Sequence, residues 1–430
     1  MEALASYDEI VQRLGTPADN ELRELVARSL VNKAGTLSAL GARDEALLVY
    51  DQVVKRFGEG VDLALRKQVA LALRNKGVTL RELGRPVDAV AAYNEVVERF
   101  GDATDPELRR QVASALVNKG AALNALGARD EALLVDGQVV ERFGDAADVE
   151  LRRQVAMALI NKGISLFALD RPGESAAAYG QVVEQFGDTA DPELLQLVAR
   201  AFVDKGMTLN ALGKRDDALA AYDKVLQRFE DSADPQVGVR VAQALAEKGA
   251  SLTALALTEQ ALAAYEAVVQ RFGGQADPEF RQPVAKALVN LGGTLSALGR
   301  PREAVAACDQ VVERFHDADE PELRAAVARA IVNKGAILND ALSQPDAAIA
   351  AFDKAMDQFG DAPDPQLREP VALALVNKAT VLAELGRSEA AAALYEEVVA
   401  RFGEADDPDL SRWVAVALEK RSVEPAGSDD

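Results

Sequence analysis

The stretch DPELRRQVASALVNKGAALNALG, residues 105–127, decides the fold. Asp105 and Pro106 open it as a helix cap followed by proline at the first helical position, with Glu107 where the helix dipole favours an acid. Apolar residues then recur at helical spacing through Leu108, Val112, Ala115, Leu116 and Leu123. The run stops at Gly127, where a helix end wants a left-handed residue. A helix of this kind is about 30 Å long. Lys119 stands inside the apolar arc, with Asn118 beside it.

The stretch belongs to a period. A phenylalanine closes each copy of VVERFGD at Phe57, Phe100, Phe143, Phe186, Phe229, Phe272, Phe315, Phe359 and Phe402, and Leu14 continues the series backward. Every interval is 43 residues except one of 44, whose extra residue falls in NDALSQPD around Asn339–Asp340. Each copy reads as two helices. The second, RDEALLVYDQVVKRF in the first complete copy, carries Ala46, Tyr50, Val53, Val54 and Phe57 on one face. Pro86, Pro172, Pro301 and Pro345 start it in other copies, and glycines matching Gly127 separate the two helices at Gly41, Gly84, Gly213, Gly299 and Gly386.

The count is nine complete pairs over about 19–402, a lone second-type helix within 1–15 and a lone first-type helix at 408–420. The expected fold is all-α, a single solenoid over 1–420 with about twenty helices, followed by a short polar disordered tail at 421–430.

Gly77, Leu80, Gly84, Ala89 and Tyr93, with their copies, give the chain its family likeness. It resembles the tetratricopeptide repeats, in which a helix glycine, a large residue, a turn, a small alanine and an aromatic follow one another. The resemblance implies a right-handed superhelix of antiparallel helix pairs, with the first helices lining the concave side. Two departures stand out. The period is 43 rather than the usual ~34, and a lysine mostly replaces the apolar residue before the helix glycine.

A Val–Ala pair recurs in all ten first-type helices, from Val26–Ala27 to Val414–Ala415. A small residue kept at one place, and an interior glycine costing up to ~1 kcal/mol against alanine, both indicate close helix approach. The face of 106–125 that remains open holds Gln111, Ser114, Asn118, Ala122 and Ala125. The amide recurs as Asn32, Asn75, Asn161, Asn290, Asn333 and Asn377. An amide both donates and accepts, so a ladder of them can pair with the peptide bonds of an extended chain. The resemblance places that ladder along the groove. The other reading of the amides is a bond across the stack to the neighbouring copy.

One turn earlier the open face varies, and Arg200, Lys286 and Arg329 stand there. Lys286, Asn290, Arg329 and Asn333 make a polar, positive patch. It is similar to part of the carboxylate clamp of chaperone-binding family members, although Ala246 and Ala250 occupy the remaining clamp positions. The repeated lysine is expected to be structural. A buried ammonium needs a carboxylate or an exit for its head, and the second helices offer acids six positions before their phenylalanine, such as Asp51, Asp223, Asp309 and Asp353.

Other chemistry finds little support. With a net charge of -21, nonspecific binding to nucleic acid or anionic lipid is disfavoured. The single cysteine, Cys308, takes the aromatic place of its helix and reads as core; the single histidine, His316, reads as a solvated turn residue. No Cys/His cluster suggests a metal, no glycine-rich phosphate loop follows a strand, and neither an enzyme nor a cofactor is expected. The start lacks the features of a signal peptide and no run suits a membrane span, so a cytoplasmic location is expected. The expected function is a protein-interaction scaffold that holds a peptide or partner segment in its groove. The alternative is self-assembly, head to tail, through the terminal half repeats. A sensor or scaffold role within a larger system is a third possibility.

Overall fold

The computed structural model describes residues 2–15, 17–405 and 407–421. Among them are twenty α-helices and no strand. The first helices of the nine repeats are α2 (Asn20–Ala39), α4 (Leu63–Glu82), α6 (Pro106–Ala125), α8 (Val149–Ala168), α10 (Pro192–Ala211), α12 (Pro235–Ala254), α14 (Arg281–Ala297), α16 (Pro321–Asp340) and α18 (Pro365–Glu384). The second helices are α3 (Arg43–Phe57), α5 (Pro86–Phe100), α7 (Arg129–Phe143), α9 (Pro172–Phe186), α11 (Arg215–Phe229), α13 (Thr258–Phe272), α15 (Pro301–Phe315), α17 (Pro345–Phe359) and α19 (Ser388–Phe402). An unpaired α1 (Glu2–Leu14) precedes them and an unpaired α20 (Pro408–Arg421) follows. Arg421, expected in the tail, closes α20; the rest of that tail lies outside the described residues.

The helices form two compact halves, residues 1–217 and 218–430, and the boundary falls inside α11 rather than in a linker. In each half consecutive helices pack side by side, and first helices also pack on the first helices of adjacent repeats. Among the described residues, no second helix packs closely on another second helix.

Local chemistry accounts for the helix ends. The Asp105 side chain accepts hydrogen bonds from the backbone N–H groups of Glu107 and Leu108, at 3.0 and 3.1 Å. Asp62, Asp148, Asp191 and Asp234 cap their helices in the same way. Pro86, Pro172, Pro301 and Pro345 begin α5, α9, α15 and α17, where their missing N–H costs nothing. The turn between paired helices needs a positive φ. Six repeats meet this with glycine; Asp170, Ala256 and Ser343 adopt φ of 56, 57 and 52° in the other three. The extra residue of the longer interval is absorbed in this turn, where the Gln344 N–H reaches back to the Leu338 carbonyl at 2.8 Å.

The helix glycine works through the aromatic opposite it. A Cβ on Gly77 would lie 2.4 Å from Tyr93 Cε1, and one on Gly335 would lie 2.5 Å from Phe352 Cε1. Gly163 and Gly249 stand equally close to Tyr179 and Tyr265. The ring therefore lies flat against helix backbone, which only glycine permits. Cys308 fills the same place against Gly292; it is buried, as expected, and burial pushes its thiol up to about 12. His316 is exposed and caps the C-terminus of α15.

Arginines tie the outer loops. Arg56 donates to the Gly15 carbonyl at 2.6 Å, Arg271 to that of Glu230 at 2.6 Å, and Arg142 and Arg401 to those of Gly101 and Gly360. Each bond joins the end of a second helix to the loop that closes the preceding repeat or α1. The N-cap acids are shared as well: Arg110 reaches Asp148 at 2.5 Å and Arg153 reaches Asp191 at 2.6 Å, holding both carboxyls below the usual carboxylate range. The loop that lengthens the repeat is thus anchored at both ends.

Candidate partner-binding surface

The first helices carry the sequence-predicted amides, but their face is less open than the helix wheel suggests. Asn32 is exposed; Asn75, Asn118, Asn161, Asn290, Asn333 and Asn377 are half-buried. Gln111, Ser114 and Ala122, expected on the open face of α6, are buried. Adjacent first helices cover them, which a single-helix wheel cannot show.

The amides also have neighbours within the chain. Asn75 stands beside the Tyr50 hydroxyl and Asn290 beside that of Tyr265. The Asn161 amide donates to the Val117 carbonyl at 3.3 Å, and Asn118 to the Ser114 carbonyl at 2.8 Å. With Asn118 turned to its own helix, the buried Tyr93 hydroxyl has no hydrogen-bond partner, and burial pushes its pKa up to about 12.

The polar patch falls in a real concavity of the C-terminal half. Lys286, Asn290 and Arg329 line a cavity of about 420 Å³ together with Glu322, Glu369, Asp407 and Asp409. α14, α16 and α18 form its walls, and the start of α20 contributes the last acid. The expected positive character is cancelled. Lys286 pairs with Glu247 at 2.5 Å and Arg329 with Glu369 at 3.3 Å, and Asp407, whose carboxyl caps α20, and Asp409 tip the balance toward negative charge. These acids come from helices far along the chain, so the sequence patch did not include them. Asn333 does not line the cavity. Arg200 lies in the other half, half-buried and 3.3 Å from Asp204 of its own helix. Among the described residues no cluster of His, Cys, Asp and Glu could hold a metal ion, and no helix is long and apolar enough to cross a membrane.

Tetratricopeptide repeat models match residues 31–106, 160–235, 333–406 and 376–422, and a second such model matches 284–316. The chain belongs to the tetratricopeptide repeat family. No curated protein matches the sequence. Among solved structures, the apo form of RapI is similar at 12% identity, covering 92% of this chain and 97% of that one, with a TM-score of 0.58. The apo quorum sensor NprR from B. thuringiensis is similar at 12% identity, 86% and 97% coverage and a TM-score of 0.54. A signal transduction ATPase with a tetratricopeptide repeat sensor, from Pyrococcus horikoshii, is similar at 12% identity, 92% and 55% coverage and a TM-score of 0.52. Each likeness is one of fold. A tetratricopeptide repeat chain is, in general terms, a protein-interaction scaffold, and no enzymatic family is indicated.

Two features set this tetratricopeptide repeat chain apart. The first is the repeated lysine. Lys33, Lys76, Lys248 and Lys334 pair with Asp8, Asp51, Asp223 and Asp309 at 2.5–2.6 Å, and Lys378 pairs with Asp353. The acids are of the expected type, six before the closing residue, and the partner belongs to the preceding second helix. The lysine stem crosses the apolar layer and its head leaves between two second helices, as Lys76 does in a cleft of about 490 Å³ lined by Asp51, Arg85, Asp88 and Glu95.

The second feature, absent from the sequence reading, is Asp136. It occupies the aromatic place of repeat 3 and is 0% exposed, and neither carboxyl oxygen makes a well-formed hydrogen bond, with the Asn161 amide beside it. Burial raises its pKa to about 8, against smaller opposing effects of Asn161 and Lys162. The signal was readable as LLVDGQ where the first repeat has LLVYDQ.

Proposed function

We propose that the chain is a non-enzymatic scaffold that holds a peptide or partner segment along its first helices, and that the cavity of the C-terminal half is the anchoring point. The observation that carries this is the 420 Å³ concavity, whose wall combines the amide of Asn290 with paired cations and an excess of acids. Asn290 offers hydrogen bonds to a backbone. Glu369, Asp407 and Asp409 suit a lysine or arginine side chain of the partner better than a carboxylate. The other ladder residues, Asn32, Asn75, Asn118, Asn161, Asn333 and Asn377, with Arg200, are secondary contacts on this reading.

Phage-displayed peptides selected on the full chain are expected to be enriched in lysine and arginine. Measured by fluorescence anisotropy, their affinity should drop about tenfold in Glu369→Gln/Asp409→Asn, the loss of charge-assisted bonds. Selection of acidic peptides, or unchanged affinity in the variant, refutes the assignment.

A second reading, head-to-tail self-association, draws on the terminal helices. Leu418 of α20 is 42% exposed, whereas Leu116 in the same register of α6 is 1% exposed. Tyr7 of α1 is half-buried where Tyr50 is fully covered. Sedimentation velocity over a concentration series decides it; a constant monomer at high micromolar concentration rejects it.

A further inference from the structure

The lysine–acid pairing fails in three successive repeats of the N-terminal half. The register that holds Asp8 and Asp51 holds Asn94, Gly137 and Gly180 next. Lys119, Lys162 and Lys205, which take the register opposite them, have no ion pair among the described residues and are half-buried, and the Lys205 head lies beside Gly180 of the second helix. The charges nearest to them do not replace the lost partners. Glu174 is within electrostatic reach of Lys162 but pairs with Arg171 at 2.7 Å, and Asp136 is buried beneath the surface.

The two glycines sharpen the point. Gly77, Gly163, Gly249 and Gly335 are required by the rings packed on them. Gly137 and Gly180 are not. A Cβ on Gly137 would meet nothing within 4 Å, and one on Gly180 would meet only Lys205 Nζ at 3.5 Å. Glycine inside a helix weakens it, and here no internal packing explains it. What the glycines do is clear the strip opposite Lys162 and Lys205.

We propose that this strip, across α5, α7 and α9, docks an acidic segment of a partner protein whose carboxylates take the places of the three missing acids. The intact pairs elsewhere in the chain show that a lysine in this register accepts a carboxylate at 2.5–2.6 Å. Between α3 and α5 the lysine of this register opens into a cleft, and the repeat places the three unpaired lysines at the equivalent positions. Neighbouring ammonium heads are one repeat apart, at least the ~10 Å of packed helices, a spacing that an extended peptide spans with acids at every third residue or further apart. A continuous polyphosphate is the poorer match, because its charges are denser than three ammonium heads at least ~10 Å apart can pair and the excess would face a chain of net charge -21. This strip is carried by second helices, whereas first helices wall the cavity of the C-terminal half, and the proposal does not depend on that cavity.

The test uses a fluorescein-labelled glutamate-rich decapeptide at low ionic strength, read by anisotropy, with the full chain. Asn94→Asp/Gly137→Asp/Gly180→Asp rebuilds the internal pairs. It is expected to weaken peptide binding at least about tenfold and to raise the melting temperature, so loss of binding cannot be put down to unfolding. Lys119→Gln/Lys162→Gln/Lys205→Gln should lose binding similarly. Unaltered peptide affinity in the rebuilt variant overturns the proposal. Tighter binding of polyuridylate than of the peptide at this strip overturns the choice of a protein partner.

Discussion

Repeats 2 and 3 share their caps, their turn glycine and their helix glycine, and differ in what that glycine faces. In repeat 2 Gly77 meets the ring of Tyr93; in repeat 3 Gly120 meets the carboxyl of Asp136, whose Oδ1 would lie 2.4 Å from an added Cβ. Both residues are 0% exposed. The helices pair in both cases. Neighbours on either side thus hold a repeat in shape even where its own filling has been exchanged for a buried acid, as expected of an array whose stability is shared across interfaces.

The strongest way to break this comparison is to carry the state of repeat 3 into repeat 2. Tyr93→Asp removes a buried ring and installs a buried acid, and should cost at least about 5 kcal/mol in denaturant unfolding. A cost below about 1 kcal/mol would mean that the ring contributes little in either repeat. Next in size is a pH effect. The Asp136 carboxyl titrates near pH 8 in the folded chain and near 3.8 when unfolded. Between those values the folded chain holds a proton that the unfolded chain releases. Stability due to this group is therefore greatest below about pH 4, declines as pH rises, and is flat above about pH 8. The slope is at most about 1.4 kcal/mol per pH unit. Asp136→Asn should remove it, visible as the difference between parent and variant melting curves from pH 5 to 8; identical pH profiles would place the proton elsewhere.

Smaller effects sharpen the contrast. Gly77→Ala drives a methyl into a stiff ring and should cost about 1–3 kcal/mol. Gly120→Ala meets the end of a short side chain and should cost less. Equal costs would show that the glycine answers to the backbone and not to its partner. Tyr93→Phe should be close to neutral, because the hydroxyl it deletes is buried without a partner. A loss above about 1 kcal/mol would reveal a bond that a buried water supplies.

Most of the fold was legible because its signals are local. Asp105, Pro106 and Gly127 act within one turn of themselves, and the period multiplied each signal. The turns at Asp170, Ala256 and Ser343 were not legible as left-handed, since the residue that usually reports such a φ is absent and only the register demands it. The surface was harder to read. A wheel drawn on α6 cannot know that neighbouring first helices cover Gln111 and Ser114. The patch of Lys286 and Arg329 looked positive until Glu247 and Glu369, dozens of residues away, closed on it. The acid partnering each lysine was recognisable by type, but its place on the preceding repeat needed coordinates. Asp136 escaped because acids that recur with a period read as solvated, and this one does not recur.

The unequal packing of the two helix layers has a mechanical side. Within each half the first helices are packed on one another, whereas the second helices are not: where it forms, a lysine–carboxylate contact bridges a second helix to the first helix that follows, and an arginine reaches the loop carbonyl after the preceding second helix. Such a body resists stretching along one edge and yields along the other, like a strip of card scored on one side. Its compliance is then set locally, one acid at a time, and is greatest where Asn94, Gly137 and Gly180 leave the bridge unmade.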